Sequence, residues 1–423
     1  MTHIEQMIQD MCPNGVEWKT FDELGAFYGG LSGKTKDDFK DGNAKFITYL
    51  NIANNPALRL DIDETVKIGP NEKQNIVQYG DALFTGSSET PDECAMSSVV
   101  TDYPQEKLYL NSFCFGFRFN SLEGICPAFY KHYFRSDHFR KAVRRTANGT
   151  TRFNVSKKEF GKLAIPLPPL EIQKKIVECL DKFSALAAEL QAELQLRRKQ
   201  YEYYRTQLLT PHSDCNSADK TDDAQWEWKT LGEIGTFQRG NGLQKKDFRE
   251  EGIGCIHYGQ IYTRLGTFCN ETLTYVEPSL GNKLVKVEPG NLVIACTSEN
   301  VEDVCKAVAW LGNETTVTGG HAAVFRHNQN PKYIAYYFQT ELFAQQKRKY
   351  AKGVKVIDIK VDEIAQISIP LPPLEEQARI VTILDKFEKL ITSMEEGIPA
   401  EQIRQQKRYE YFRDLLLNFK KQL

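Results

Sequence analysis

Hydrophobic positions recur in alternating steps of four and three along residues 176 to 208. They are Ile176, Leu180, Phe183, Ala187, Leu190, Leu194, Arg197, Tyr201, Tyr204 and Leu208, with only Arg197 breaking the apolar line. A 3.5-residue period is the mark of a coiled-coil seam. The same rule returns at Ile380, Leu384, Phe387, Ile391 and Met394. There "EGIPAEQ" interrupts it with four extra residues, which predicts a kink or break at Gly397 to Pro399. Each seam is led in by the same words, "IPLPPLEIQKKIVECLDKF" from Ile165 and "IPLPPLEEQARIVTILDKF" from Ile369, identical at 14 of 19 positions. The prolines hold the backbone extended and exclude it from a helix interior. Glu171 then falls in the first helical turn, where a carboxylate suits the dipole.

The repetition extends over the whole chain. "WKTFDELGAF" at Trp18 returns as "WKTLGEIGTF" at Trp228, and "YEYYRTQLL" at Tyr201 returns as "YEYFRDLLL" at Tyr409. Between these markers the halves diverge, which predicts one scaffold carrying two specificities. The divergent interiors read as mixed α/β. "GDALFTGSS" and "GNLVIACTS" are short apolar runs bounded by Gly and Ser, and "NSFCFGFRF" and "GHAAVFRH" are further strand candidates. "PAFYKHYFRSDHFRKAVRR" and "PKYIAYYFQTELFAQQKRKY" each predict one helix opening on proline, with Gly149 and Gly353 as terminators. "TPHSDCNSADKTDDAQ" is polar and aperiodic and reads as a linker. The resulting class is α+β. Two globular mixed α/β domains are joined by two long antiparallel coiled-coil helices in a pseudo-twofold internal repeat. The boundaries are 1–168, a central helix over 169–210, a linker over 211–225, a second domain over 226–372 and a C-terminal helix over 373–423.

The chain has 423 residues, 41% hydrophobic and 26% charged, with no apolar run long enough for a membrane span. No signal peptide is visible, and the ten cysteines form no C-x-x-C pair, which predicts a cytoplasmic protein with free thiols. A search for catalysis finds none. "GGLSGKT" would need glycine where Tyr28 stands to be a Walker A loop. "EWK" at Glu17 and Glu227 has an E-x-K look without the upstream partner of a nuclease site, and Trp18 and Trp228 read as core anchors. No histidine–cysteine set has zinc spacing, and no adenine-methyltransferase tetrapeptide occurs.

A formal net charge of −2 gives no overall attraction to nucleic acid, so any binding rests on local patches. Two exist, at matched places in the repeat. From Tyr130 to Phe160, Lys131, Arg135, Arg140, Lys141, Arg144, Arg145, Arg152, Lys157 and Lys158 outnumber two acids. From Thr340 to Lys360, Lys347, Arg348, Lys349, Lys352, Lys355 and Lys360 also outnumber two. Lysine and arginine in such loops can neutralise phosphates and read guanine edges, and Asn148, Thr150 and Thr151 add hydrogen-bonding capacity. Lys34 and Lys36 in "KTKDDFK" and Lys245 and Lys246 in "QKKDFR" form a second, weaker matched pair.

The order W-K-T-[FL]-x-E-[IL]-G, "PLPPLEEQ" ("PLPPLEIQ" in the first half) and "YEYYR" ("YEYFR" in the second), one set in each half, resembles the specificity subunit of type I restriction–modification systems. The resemblance covers nearly the whole chain. It implies two target-recognition domains, each reading one half of a split site in double-stranded DNA, braced by two long helices. It also implies two methyltransferase subunits as partners, with S-adenosylmethionine bound by them and no cofactor on this chain, and restriction subunits able to join. No single DNA-contacting residue carries over, because recognition domains differ by design. "GIPAEQ" departs from the first half, so the twofold is imperfect. The alternatives are a self-sufficient methyltransferase or nuclease fusion, which the missing signatures oppose, and a scaffold without DNA, which leaves the paired basic loops unexplained.

The tandem "AELQAELQ" at Ala188 to Gln195 lies inside the central seam and suggests a ruler between half-sites. One more "AELQ" after Gln195 adds roughly 6 Å and about 40° of rotation, and one base pair turns about 34 to 36°. The expected outcome, mapped by sequencing methylated sites, is a gap longer by one base pair; unchanged spacing with activity intact would show that the helix is not the ruler.

Overall fold

Each repeated proline segment becomes an edge of backbone locked against the tryptophan segment. In the computed structural model, which describes residues 3–211, 226–393 and 395–422, Ala164–Leu167 pairs antiparallel with Glu17–Thr20. Ser368–Leu371 pairs in the same register with Glu227–Thr230. Thr20 and Thr230 then close capping boxes with Glu23 and Glu233, so the W-K-T-x-x-E spacing is a helix-start signal used twice. The prolines leave their strands, and the glutamine three residues into each new helix holds the turn. Gln173 is fully buried; its amide donates to the carbonyls of Gly124 and Pro168 at 2.8 Å and its oxygen accepts from Cys126 N–H at 2.8 Å. Gln377 does the same work, donating to Pro372 and Gln329 and accepting from Asn330 N–H.

The chain divides into two compact units, residues 1–191 with 401–423 and residues 192–400. In the first, the antiparallel strands Gly25–Gly29, Cys114–Phe119, Ala82–Thr85 and Ser97–Val99 form one sheet in that order. A second sheet contains Ala44–Ile47 and Leu108–Leu110 in parallel. Its core is aromatic: Phe21 lies within 4.8 to 6.2 Å of Phe27, Phe84, Phe117, Phe134, Phe139 and Phe160. Leu416, Leu417 and Phe419 complete that core, so the C-terminal residues belong to the first unit rather than to the second domain's helix alone. In the second unit the equivalent sheet, Gly235–Arg239, Ala322–His327, Leu292–Ala295 and Ala307–Trp310, is packed mainly with Val, Ile and Ala.

The expected strands are present, but three readings change. The single helix expected in each half is two, Pro127–Tyr133 with Asp137–Arg144 and Pro331–Tyr337 with Glu341–Arg348. Ser136 and Thr340 break them, because each hydroxyl accepts the N–H of Phe139 or Phe343 and starts a new helix. Gly149 and Gly353 terminate nothing; they have φ of +142° and +130° in loops beyond the helix ends. Trp228 is 53% exposed and anchors no core, whereas the Trp18 ring meets Tyr133 and His138 edge-on.

The central helix runs from Leu170 to Leu208. In the first unit its early part lies antiparallel to residues 401–416, with Phe183 stacked on Phe412 at 5.4 Å and Gln191 bonded to Gln402. In the second unit its late part stacks Tyr204 on Phe387 at 5.5 Å. Two residues expected in the seam, Ala187 and Tyr204, are exposed. The second seam's helix ends at Thr392 and a new one starts at Ile398. A Cβ on Gly397 would meet the Leu390 carbonyl oxygen at 2.6 Å, so this turn admits only glycine. Met394 and most of the polar segment read as a linker lie outside the described residues. Among the described residues no helix is long and apolar enough to cross a membrane.

Replacing Gln173 by leucine removes one side chain and strands three backbone groups. The expected cost is about 1 to 3 kcal/mol for each group left buried without a partner, read by hydrogen exchange as loosening around Gly124 to Cys126, with the matching region near Asn330 unchanged.

Candidate nucleic-acid interface

The matched basic stretches fold into matched hairpins. In the first unit Ala147–Asn148 pairs with Phe153–Val155, which pairs in turn with Ser87–Ser88. In the second, Lys352 bridges to Asp358, and Ile357–Asp358 pairs with Thr297–Ser298. Both tips turn on a glycine whose Cβ would fall 2.0 Å from a carbonyl across the turn, that of Arg152 or Val356. Residues 148–152 and 352–356 are all exposed, with Val354 at 97%.

The strand beneath each hairpin is fastened from below. Tyr49 donates to the Ser87 carbonyl and Tyr262 to the Thr297 carbonyl, two tyrosines at different places in their helices reaching the same point of the repeat. Arg239 forms a 2.8 Å ion pair with Asp358 behind the second hairpin. Beside each hairpin runs an exposed acidic segment, Glu89, Asp92 and Glu93 or Glu299 and Glu302, which charge counting over the basic stretches missed. In the first unit Arg152, Tyr49, Glu89, Glu93 and Phe113 line a cleft of about 400 Å³.

The basic residues separate into two sets. Arg145, Thr150, Thr151, Arg152, Lys349 and Lys355 are exposed on or beside the hairpins, and among the described residues those cations form no ion pair. Asn148 is exposed and donates to the Thr146 carbonyl. Lys36, Lys245 and Lys246 are exposed on short 3-10 turns. Arg144, Arg348 and Lys352 are exposed but already paired, with Asp92, Glu341 and Glu363.

Three candidates are turned inward, and these are corrections. The Lys34 side chain is 8% exposed and lies 2.6 Å from Glu72, whose carboxyl it holds down at about 2. Arg140 donates to the carbonyls of Asp92, Cys94 and Ala95. Lys347, 5% exposed, donates to those of Glu302 and Val304 at 2.6 and 2.7 Å, and burial pulls its ammonium below the ordinary lysine value. Arg140 and Lys347 do one job. Each fills the carbonyl cradle of a tight turn whose residue Ala95 or Cys305 sits buried at positive φ, +47° or +64°. By the repeat, Lys347 corresponds to Val143 rather than Arg140. The cation has moved three residues, one helical turn, and still faces the same cradle. Lys131, paired with Asp181, and Arg135, bonded to the carbonyls of Ile52, Ala53 and Ser97, are also internal. A burial pattern of this kind is invisible to charge counting.

Residues 13–196 and 224–402 match the family model of the type I restriction modification DNA specificity domain. The chain is 35% identical over 267 residues to the Escherichia coli EcoR124I/EcoR124II type I restriction enzyme specificity subunit. That alignment covers 62% of this chain and 64% of the relative, just under two thirds of its length. A putative specificity subunit of Haemophilus influenzae, S.HindORF215P, is 29% identical over 71% of this chain and 74% of its own. A chain solved in a type I restriction–modification system shares the fold at a TM-score of 0.63, covering 96% of this chain and 98% of that one at 18% identity.

Truncating the inward cations tests their role. Arg140→Ala and Lys347→Ala are expected to destabilise their own units by about 1 to 3 kcal/mol, the cost of leaving buried carbonyls unpaired, in denaturant unfolding without DNA. Arg145→Ala should leave stability within about 0.5 kcal/mol, as an exposed surface change does.

Proposed function

This chain belongs to the type I restriction–modification DNA specificity family, and from that premise we propose that it is the DNA-reading subunit of such a complex. Each unit reads one half of a bipartite duplex site, the long helices set the distance between the readers, and two methyltransferase subunits dock on the assembly. Those partners carry S-adenosylmethionine and methylate adenine, restriction subunits can join them, and this chain supplies recognition without catalysis.

The observation that carries the reading is the pair of exposed, cation-bearing hairpins at one place in the repeat. They sit on like scaffolds and differ in sequence, "NGTTR" against "KGVKV". A phosphate-gripping surface needs cations free of internal partners, and Arg145, Arg152, Lys349 and Lys355 meet that condition. Bases are then read by whatever differs between the tips. The overall charge of −2 is compatible with this role when local cations and partner subunits share the phosphate contacts.

Two measurements test the reading. The chain alone, given labelled S-adenosylmethionine and DNA, is expected to transfer no methyl group, and transfer would favour a self-sufficient enzyme. In the assembled complex, Arg145→Ala with Arg152→Ala should weaken DNA binding by about 1 to 3 kcal/mol per base-reading contact and lower the salt slope by about one per phosphate contact. Specificity should relax at one half-site only, and Lys349→Ala with Lys355→Ala should relax the other. Equal relaxation at both half-sites by either pair would refute the division of labour.

A further inference from the structure

The two hairpins put different chemistry at the same points. With Gly149 set on Gly353, Thr150 falls on Val354, Thr151 on Lys355 and Arg152 on Val356. The glycines justify that register, since a Cβ on either would fall 2.0 Å from the carbonyl oxygen three residues on. After its glycine the first tip offers two hydroxyls and a guanidinium, and the second offers a lysine between two valines.

The valines need a cause. Tight turns favour Gly, Pro, Asn, Asp and Ser, and β-branched residues fit pleated, half-buried surfaces. Val354 is 97% exposed and Val356 59%, so the fold covers almost nothing of the first and less than half of the second. The next residue, Ile357, is buried and suffices to tie the turn to its unit. One exposed apolar side chain is ordinary on a protein surface. Two at one tip, with Lys355 between them and Lys349 close in sequence, are not scattered, and both lysines are exposed and form no ion pair among the described residues. Cations that grip phosphates bring a duplex against the same tip. The occupant that covers the valines is then a base edge.

We propose that Val354 and Val356 read the 5-methyl group of thymine in the major groove, so that the half-site of the second unit contains an A·T pair recognised through its methyl. This rests on the DNA-reading function proposed above. The major groove, about 12 Å wide, admits a two-stranded ribbon such as this hairpin, and the thymine methyl is the apolar group that base edges present there. A cytosine in the same place presents an amino group instead, which valine would cut off from water without bonding it. Thr150, at the place of Val354, has nearly valine's shape with a hydroxyl added, and Arg152, at the place of Val356, has the fork that fits guanine O6 and N7. One backbone therefore presents two kinds of reader, hydrogen-bonding in the first unit and apolar in the second.

The test uses the assembled complex and duplexes carrying its own site, found by sequencing methylated adenines. The second half-site is the one whose specificity Lys349→Ala with Lys355→Ala relaxes. Each thymine is replaced singly by deoxyuridine, which removes the methyl and keeps the base pairing. At one or more positions in the second half-site the replacement should weaken binding about fourfold, the worth of one buried methyl group. Val354→Ser with Val356→Ser should bind the thymine and deoxyuridine duplexes equally, and should keep the wild-type thermal unfolding profile because both side chains are exposed. Any loss from deoxyuridine in the first half-site should be the same for wild type and variant. A second half-site without thymine, a wild-type complex indifferent to every deoxyuridine there, or a valine variant that keeps the wild-type loss overturns the methyl reading and leaves the DNA-reading function standing. A complex in which the lysine variants relax neither half-site overturns that function and the methyl reading together.

Discussion

The structure hangs on one buried side chain used twice. Gln173 and Gln377 have no exposed surface, and each satisfies three polar groups at the point where an extended proline segment turns into a long helix. Proline cannot donate a backbone hydrogen bond, so the turn would leave carbonyls unpaired next to a core. The glutamine amide supplies the missing donors and also grips the residue that caps the following domain helix, Pro127–Tyr133 or Pro331–Tyr337. The direction in which each helix leaves its domain is thereby fixed to the domain's own core.

A second anchor lies two turns on. In the first unit His132 bonds Asp181 at 2.7 Å and Tyr409 at 3.0 Å, and burial lowers the readiness of its ring to take a proton. In the second, Tyr336 takes the position of His132 and donates to Asp385 and Glu388. The aspartate of the repeated "LDKF" is kept and its partner changes, because a carboxylate accepts equally from an imidazole N–H or a phenol. The Arg140 and Lys347 cradles follow the same logic one step further, with even the position of the cation allowed to move. What the two units share is a set of polar requirements, and several side chains can meet each one. This tolerance leaves the rest of each unit free to diverge without loss of the frame.

The sequence by itself determined the duplicated frame. The proline segments and the 3.5-residue period are local or periodic signals, and they became the extended strand at Ala164–Leu167 and the helix from Leu170 that they implied. The helix break near Gly397 was legible for the same reason, since an inserted glycine and proline act within one turn. Tertiary structure alone decided which charges face solvent. Lys34, Arg140 and Lys347 look in sequence like Arg145, Arg152 and Lys355, yet the first three are consumed by a carboxylate or by carbonyls brought close by distant segments. It also decided that the C-terminal residues from 401 complete the first unit's core and that Trp228 stays exposed while Trp18 is half-buried. These outcomes depend on contacts between residues tens to hundreds of positions apart, and no periodicity or local propensity encodes them.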